Sequence, residues 1–161
     1  MEDERNKAME EKTISFDKLM NSIKEINARA GGMAKSVVNQ LMTLRNWAIG
    51  YYIVEYEQGG SDRAEYGVQL LRNLEKEISQ KGMNATLFKL CRNFYLLYPQ
   101  IGATVSHQFE LPDFEKSSTV SNEFMTKPDI LVQSLSFSHI REIMVIADAF
   151  ERFFYEIQCL Q

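Results

Sequence analysis

Residues 66–98 read YGVQLLRNLEKEISQKGMNATLFKLCRNFYLLY, and this stretch decides the fold. Leu70, Leu71, Leu74 and Ile78 recur at helical spacing and form one apolar face. Gly82 interrupts the pattern, and a glycine just past a periodic run is the usual helix stop. Asn84 follows as an N-cap for a second helix. That helix repeats apolar residues at Leu87, Cys91, Phe94 and Tyr98, widened by Phe88 and Tyr95, and Pro99 ends it. Two helices joined by so short a turn either fold back or cross at a large angle. The crossing arrangement is the helix-turn-helix that places a helix in a DNA groove.

The polar side of the second helix carries Thr86, Lys89, Arg92 and Asn93, spaced 3, 4 or 7 apart. Lysine and arginine suit phosphates and guanine edges, and asparagine suits adenine. With Lys81 and Asn84 in the turn, these six residues are the candidate nucleic-acid contacts. From Arg72 to Arg92 the local balance is +3, inside a chain of net charge −4. The bland alternative is an ordinary helical hairpin with a solvated basic face.

The bulk numbers narrow the classes. A chain of 161 residues fits a single domain with a real core. The domain expectation is a flexible acidic tail over 1–13 and one helical domain over 14–161. A pI near 5.3 argues against indiscriminate polyanion binding, so a nucleic-acid surface must be local. No apolar run approaches the roughly 20 residues of a membrane span, and the acidic N-terminus is no secretory signal. Cys91 and Cys159 both fall in apolar helical patterns, which predicts buried free thiols and a cytoplasmic location. Pro is scarce and strand-like alternation is nearly absent, so the class is all-α.

Taken in order, the chain shows a helix from Phe16, capped by Ser15, that Gly31-Gly32 breaks or bends. A second, long helix runs from about Met33 to Glu57. It is apolar over much of its surface, and its aromatic set around Trp47 and Tyr51 reads as core. Gly50 inside it costs about 1 kcal/mol relative to alanine, and its use is close approach of another helix. Asp62 caps a helix carrying Arg63–Gly67. Gln100 to Gln133 reads as a long loop with a short strand over Val105–Leu111. Ser138 caps a helix through Ile140, Ile143, Met144 and Ile146. Asp148, with Glu151 three residues on, caps the last helix, whose face holds Phe150, Phe153, Phe154, Ile157 and Leu160. The apolar pattern is still running at Leu160, which suggests a truncated chain or a split gene.

Catalytic chemistry finds no foothold. There is no nucleophile motif, no Gly-rich phosphate loop and no zinc-ligand pattern, so neither catalytic residues, metal nor cofactor is assigned. Pro112-Asp113 and Pro128-Asp129 lack the following acidic-x-Lys of a PD-(D/E)XK nuclease and read as turn residues. His139 reads as a first-turn helix residue packed near Phe137.

Several strings together resemble the N-terminal domain of the YhcG family. They are VNQLMTLRNWAIGYYIVEYEQGG (38–60), RAEYG (63–67), LLRNLEKEI (70–78), GMNATLFKLCRNFYLLYP (82–99), LSFSHIREIM (135–144) and ERFFYEIQCL (151–160). The resemblance covers about Phe16 to Leu160. It implies a helical DNA-binding module of a bacterial protein that delivers a PD-(D/E)XK nuclease domain, in cis or in trans, to its target. That nuclease domain is missing here, so its catalytic residues have nowhere to map. The family's longer Gly-x-Gly-Phe-Ser turn is replaced by Gly82-Met83-Asn84. The resemblance also allows Arg92 to pair with Glu65 inside the fold instead of touching DNA. The expected partner is duplex DNA of unknown sequence, with no membrane. The alternative function is a protein-interaction or oligomerisation domain, including a homo-oligomer, drawn from the broad apolar helix.

Overall fold

Forty-three consecutive residues without a proline, Phe16–Gln58, form one helix, α1. The computed structural model describes residues 16–58, 69–109 and 125–161. After α1 come α2 (Leu70–Ile78), α3 (Ala85–Leu97), a 3-10 turn (Pro99–Ile101), α4 (Gly102–Phe109), α5 (Pro128–Ser134), α6 (Phe137–Ile143) and α7 (Ala149–Leu160). Among the described residues there is no strand, and the class is all-α. The chain divides into two compact units, Met1–Val37 and Val38–Gln161, and α1 contributes to both.

In the first unit Phe16, Met20, Asn21 and every residue from Lys24 to Val37 are exposed. The break expected at Gly31-Gly32 does not occur. Both glycines keep the donor and acceptor a helix needs, and their cost is only about 1 kcal/mol each, so the hydrogen-bond ladder continues through them.

The second unit holds the core. Leu44, Trp47, Ala48 and Tyr51 of α1 meet Phe94 of α3, Tyr98 just after it, Ile101, Val105 of α4, Leu131 and Val132 of α5, and Ile140 and Ile143 of α6. A smaller cluster joins Ile53, Leu70 and Phe88. Of the aromatic set of α1, Trp47 and Tyr51 are therefore core, whereas Tyr52 and Tyr56 are exposed. Trp47 lies edge-on to Tyr95 at 5.1 Å, and its Nε1 donates to the Tyr98 carbonyl at 2.7 Å. Gly50 permits the approach of α3: a Cβ built there would lie 1.9 Å from the Cys91 carbonyl oxygen.

The long loop expected from Gln100 is corrected at both ends. Pro99–Ile101 and Gly102–Phe109 are helical, and Val105, expected in a strand, is fully buried on α4. Packing overrides its β-branched preference. Pro128 opens α5 instead of a turn, because its fixed φ suits the first helical position. Asp129 beside it accepts from the Thr104 hydroxyl at 3.3 Å. The remainder of the supposed strand and Pro112-Asp113 lie outside the described residues, as do Ser15 and the helix expected after Asp62.

Two further corrections concern the C-terminal helices. Ser136, not Ser138, caps α6, and His139 completes a capping box by accepting from the Ser136 backbone N–H at 3.3 Å. Asp148 caps α7 as expected, accepting from the Glu151 N–H at 2.8 Å. The buried residues of α7, however, are Arg152 and Glu156, while Phe150 and Phe154 are exposed. Glu156 accepts from the Tyr98 hydroxyl at 2.6 Å and from the Thr126 hydroxyl at 2.7 Å. Arg152 donates to the Ile146 carbonyl at 2.9 Å. Glu156, Tyr98 and Thr126 thus form a buried polar triad, while Phe153, Ile157 and Leu160 of the expected stripe are half-buried. Cys159, expected to be buried, is exposed near the end of α7, whereas Cys91 is buried.

Candidate nucleic-acid interface

The hairpin α2–turn–α3 is built by local hydrogen bonds. Helix α2 stops at Ile78, four residues before the glycine expected to end it. Ser79 adopts the left-handed conformation (φ 47°) and its N–H reaches the Glu75 carbonyl. Gly82 (φ 84°) shapes the turn that follows. Asn84 then caps α3: its Oδ1 accepts from the Leu87 N–H at 2.8 Å. A carboxylate oxygen of Glu75, from the preceding helix, accepts from the Ala85 N–H at 2.9 Å. Two of the four donors left open at the start of α3 are thus satisfied, and a negative charge sits at the positive end of the helix dipole.

Lys81, Asn84, Thr86 and Lys89 are exposed. Arg92 and Asn93 are half-buried. The Arg92 guanidinium is committed: its Nε donates to a Glu57 carboxylate oxygen at 2.8 Å, so it ties α3 to α1. Glu65, its expected partner, lies outside the described residues. Asn84 and Thr86 line a groove of about 410 Å³ together with Gly82, Leu87, Leu90, Phe137, Ser138 and Arg141. Lys81, Lys89, Arg92 and Asn93 are not part of that lining.

Sequence reading missed three participants. Glu57 of α1 holds Arg92 and Glu75 of α2 caps the start of α3, and nothing in their spacing announced it. Arg141 of α6 is exposed and stands at the groove, 55 residues beyond Thr86 in the chain. Its only early signal was its place in the family string LSFSHIREIM. A second, apolar groove of about 700 Å³ lies among α1, α2 and α3, bordered by Tyr52, Tyr56, Leu74, Ile78 and Met83.

Cys91, in the middle of α3, is no nucleophile. Burial pushes its thiol from 9.0 up to about 12, partly offset by Arg45. A raised folded value means that the thiol's stabilising contribution is complete below pH 9 and is lost as pH climbs toward 12. At its steepest that loss is about 1.4 kcal/mol per pH unit. We expect urea midpoints to fall as pH rises past 9 and to fall less in Cys91→Ala. A thiol reagent should label Cys159 in the native protein and Cys91 only after unfolding. Rapid native labelling of both would refute this burial argument.

Among the described residues no group of three or more His, Cys, Asp or Glu side chains is placed to hold a metal ion. No helix among them is long and apolar enough to cross a membrane.

Comparison with known proteins places this hairpin in a family context. The DUF1016 N-terminal domain matches residues 21–161. A protein of Escherichia coli (strain K12) described as "Putative nuclease YhcG" is 38% identical over 90 residues, which cover 54% of this chain and 24% of that protein. The chain therefore matches about a quarter of the length of that relative. No solved structure matches. With the family match running over residues 21–161, from before the core of α1 through all of α7, the chain belongs to the DUF1016 N-terminal domain family.

Proposed function

We propose that the α2–α3 hairpin is a duplex-DNA-contacting surface of helix-turn-helix type, in a non-catalytic domain that works beside a nuclease domain in the cytoplasm. The observation that carries this reading is the exposure of Lys81, Thr86 and Lys89 on one capped hairpin, with Arg141 brought to its groove from α6. In this reading Lys81 and Lys89 meet phosphates, Thr86 and Asn93 approach bases, and Asn84 and Arg92 chiefly set the position of α3. Arg141 adds a further cation. The relative described as a nuclease supports the nuclease association. The free thiols Cys91 and Cys159 support the cytoplasmic location.

The test is fluorescence-anisotropy titration of random duplex DNA at several salt concentrations. Each phosphate contact contributes about 0.9 to the slope of log affinity against log salt. Lys81→Ala/Lys89→Ala is expected to weaken binding across sequences and to lower that slope by about 2. Arg141→Ala is expected to lower it by about 1. Absence of salt-dependent binding by the folded parent would rule the reading out.

A second reading has its own observation. The groove beside Tyr52, Tyr56 and Ile78 leaves these large side chains around two-fifths exposed, which suits an apolar protein partner. Retained partner binding by a chain with no DNA affinity would favour it.

A further inference from the structure

The first half of α1 carries an apolar seam with exposed large side chains. Alternating steps of three and four from Phe16 land on Ile26, Ala30, Met33 and Val37. Phe16, Ile26, Met33 and Val37 are 77%, 67%, 71% and 54% exposed. The same alternation passes half-buried Gln40 and runs on to Leu44, Trp47, Tyr51 and Val54, all four buried. A seam repeating every 3.5 residues is the pattern of helices that pack side by side. In the Val38–Gln161 unit that pattern is used against other helices, and in the Met1–Val37 unit Phe16, Ile26, Met33 and Val37 of the same register are exposed. Two adjacent glycines make this helical half intrinsically weak, so packing has to stabilise it.

We propose that the Phe16–Val37 half of α1 pairs with the same half of a second copy of this chain. Charge distinguishes a second copy from other helical partners. The positions flanking the seam are Met20, Ser22, Asn27, Arg29, Ala34 and Ser36, so they hold a single charge. That charge is neutralised on its own helix, since Arg29 pairs with Glu25 at 2.6 Å. Flanks of this kind set no like charges against each other when two copies meet, and they carry no charge code for a different partner. Ala30 at the centre of the seam lets the two backbones come close. A pairing of this kind is independent of the DNA reading, which uses residues of α2, α3 and α6 only.

Sedimentation velocity of the 161-residue chain, from low to high micromolar concentration and without DNA, tests the proposal. The parent is expected to shift from one to two chain masses with concentration. Ile26→Glu/Met33→Glu is expected to stay at one mass, with the fluorescence of buried Trp47 unchanged. Ile26→Ala/Met33→Ala, which adds no charge, is expected to weaken association at least tenfold and serves if the glutamate variant folds poorly. A parent that remains monomeric across the range, or folded variants that associate like the parent, would overturn it.

Discussion

Gly50→Ala is expected to lower the melting temperature by about 5–10 °C, from a net loss of roughly 2–3 kcal/mol. The methyl group would lie 1.9 Å from the Cys91 carbonyl oxygen, 2.6 Å from its carbonyl carbon and 3.0 Å from the Tyr95 Cβ. Two of these atoms are backbone of α3 and the third is fixed to it. No flexible side-chain end can move aside, so α3 must shift away from α1. That shift loosens the contacts of Phe94 and Tyr98 with Trp47. Alanine's better helix propensity returns only about 1 kcal/mol. Gly31→Ala and Gly32→Ala supply the contrast on the same helix, because a Cβ at either meets nothing within 4 Å. Each should raise helix content and stability by up to about 1 kcal/mol. Calorimetry of the three variants checks the pair of signs. An unchanged or higher melting temperature in Gly50→Ala would show that the two helices do not touch there.

Glu156→Ala should be the other severe change, costing roughly 3–5 kcal/mol in urea unfolding. Glu156 is 4% exposed and its two oxygens serve different elements, Tyr98 at the end of α3 and Thr126 ahead of α5. Removing it strands two buried hydroxyls, each at about 1–3 kcal/mol, and leaves a void beside Arg152. Burial and the hydrogen bond to Glu156 both push the Tyr98 hydroxyl up, so it stays protonated and keeps donating. Removing all the polar partners together is a different perturbation. Tyr98→Phe/Thr126→Val/Glu156→Leu should recover much of the loss, because no hydroxyl is then left without an acceptor. The sum of the single-variant losses should exceed the loss in the triple variant by more than 1 kcal/mol or so, as expected for groups in one network. Strict additivity would mean that the triad is not a unit.

Where sequence reading succeeded, the information was local. The cap at Asn84 depends on one side chain reaching the backbone three residues on, and so does the cap at Asp148. The face of α3 holding Cys91, Phe94 and Tyr98 follows from a single helix period. Gly50 was legible as a close-approach site because a glycine inside an apolar helix has few other uses. The helix stop after Ile78 was misplaced because Ser79, a residue that seldom takes positive φ, occupies the left-handed position glycine usually fills. Val105 was misread because β-branching signals a strand only until a core claims the residue for a helix.

The candidate site divides the same way. The cationic face of α3 and its cap are written in 10 consecutive residues, Asn84 to Asn93. The removal of Arg92 into an ion pair with Glu57 depends on a residue 35 positions earlier, and the arrival of Arg141 on one far downstream. By itself the sequence determined the all-α class, the capped hairpin and the family, because these follow from periodicity, capping chemistry and ordered strings of residues. Tertiary structure alone decided which face of α7 is buried, which cations of the hairpin remain exposed, and which half of α1 is covered. Those outcomes depend on hydrogen bonds and packing between residues far apart in the chain, and no local period encodes them.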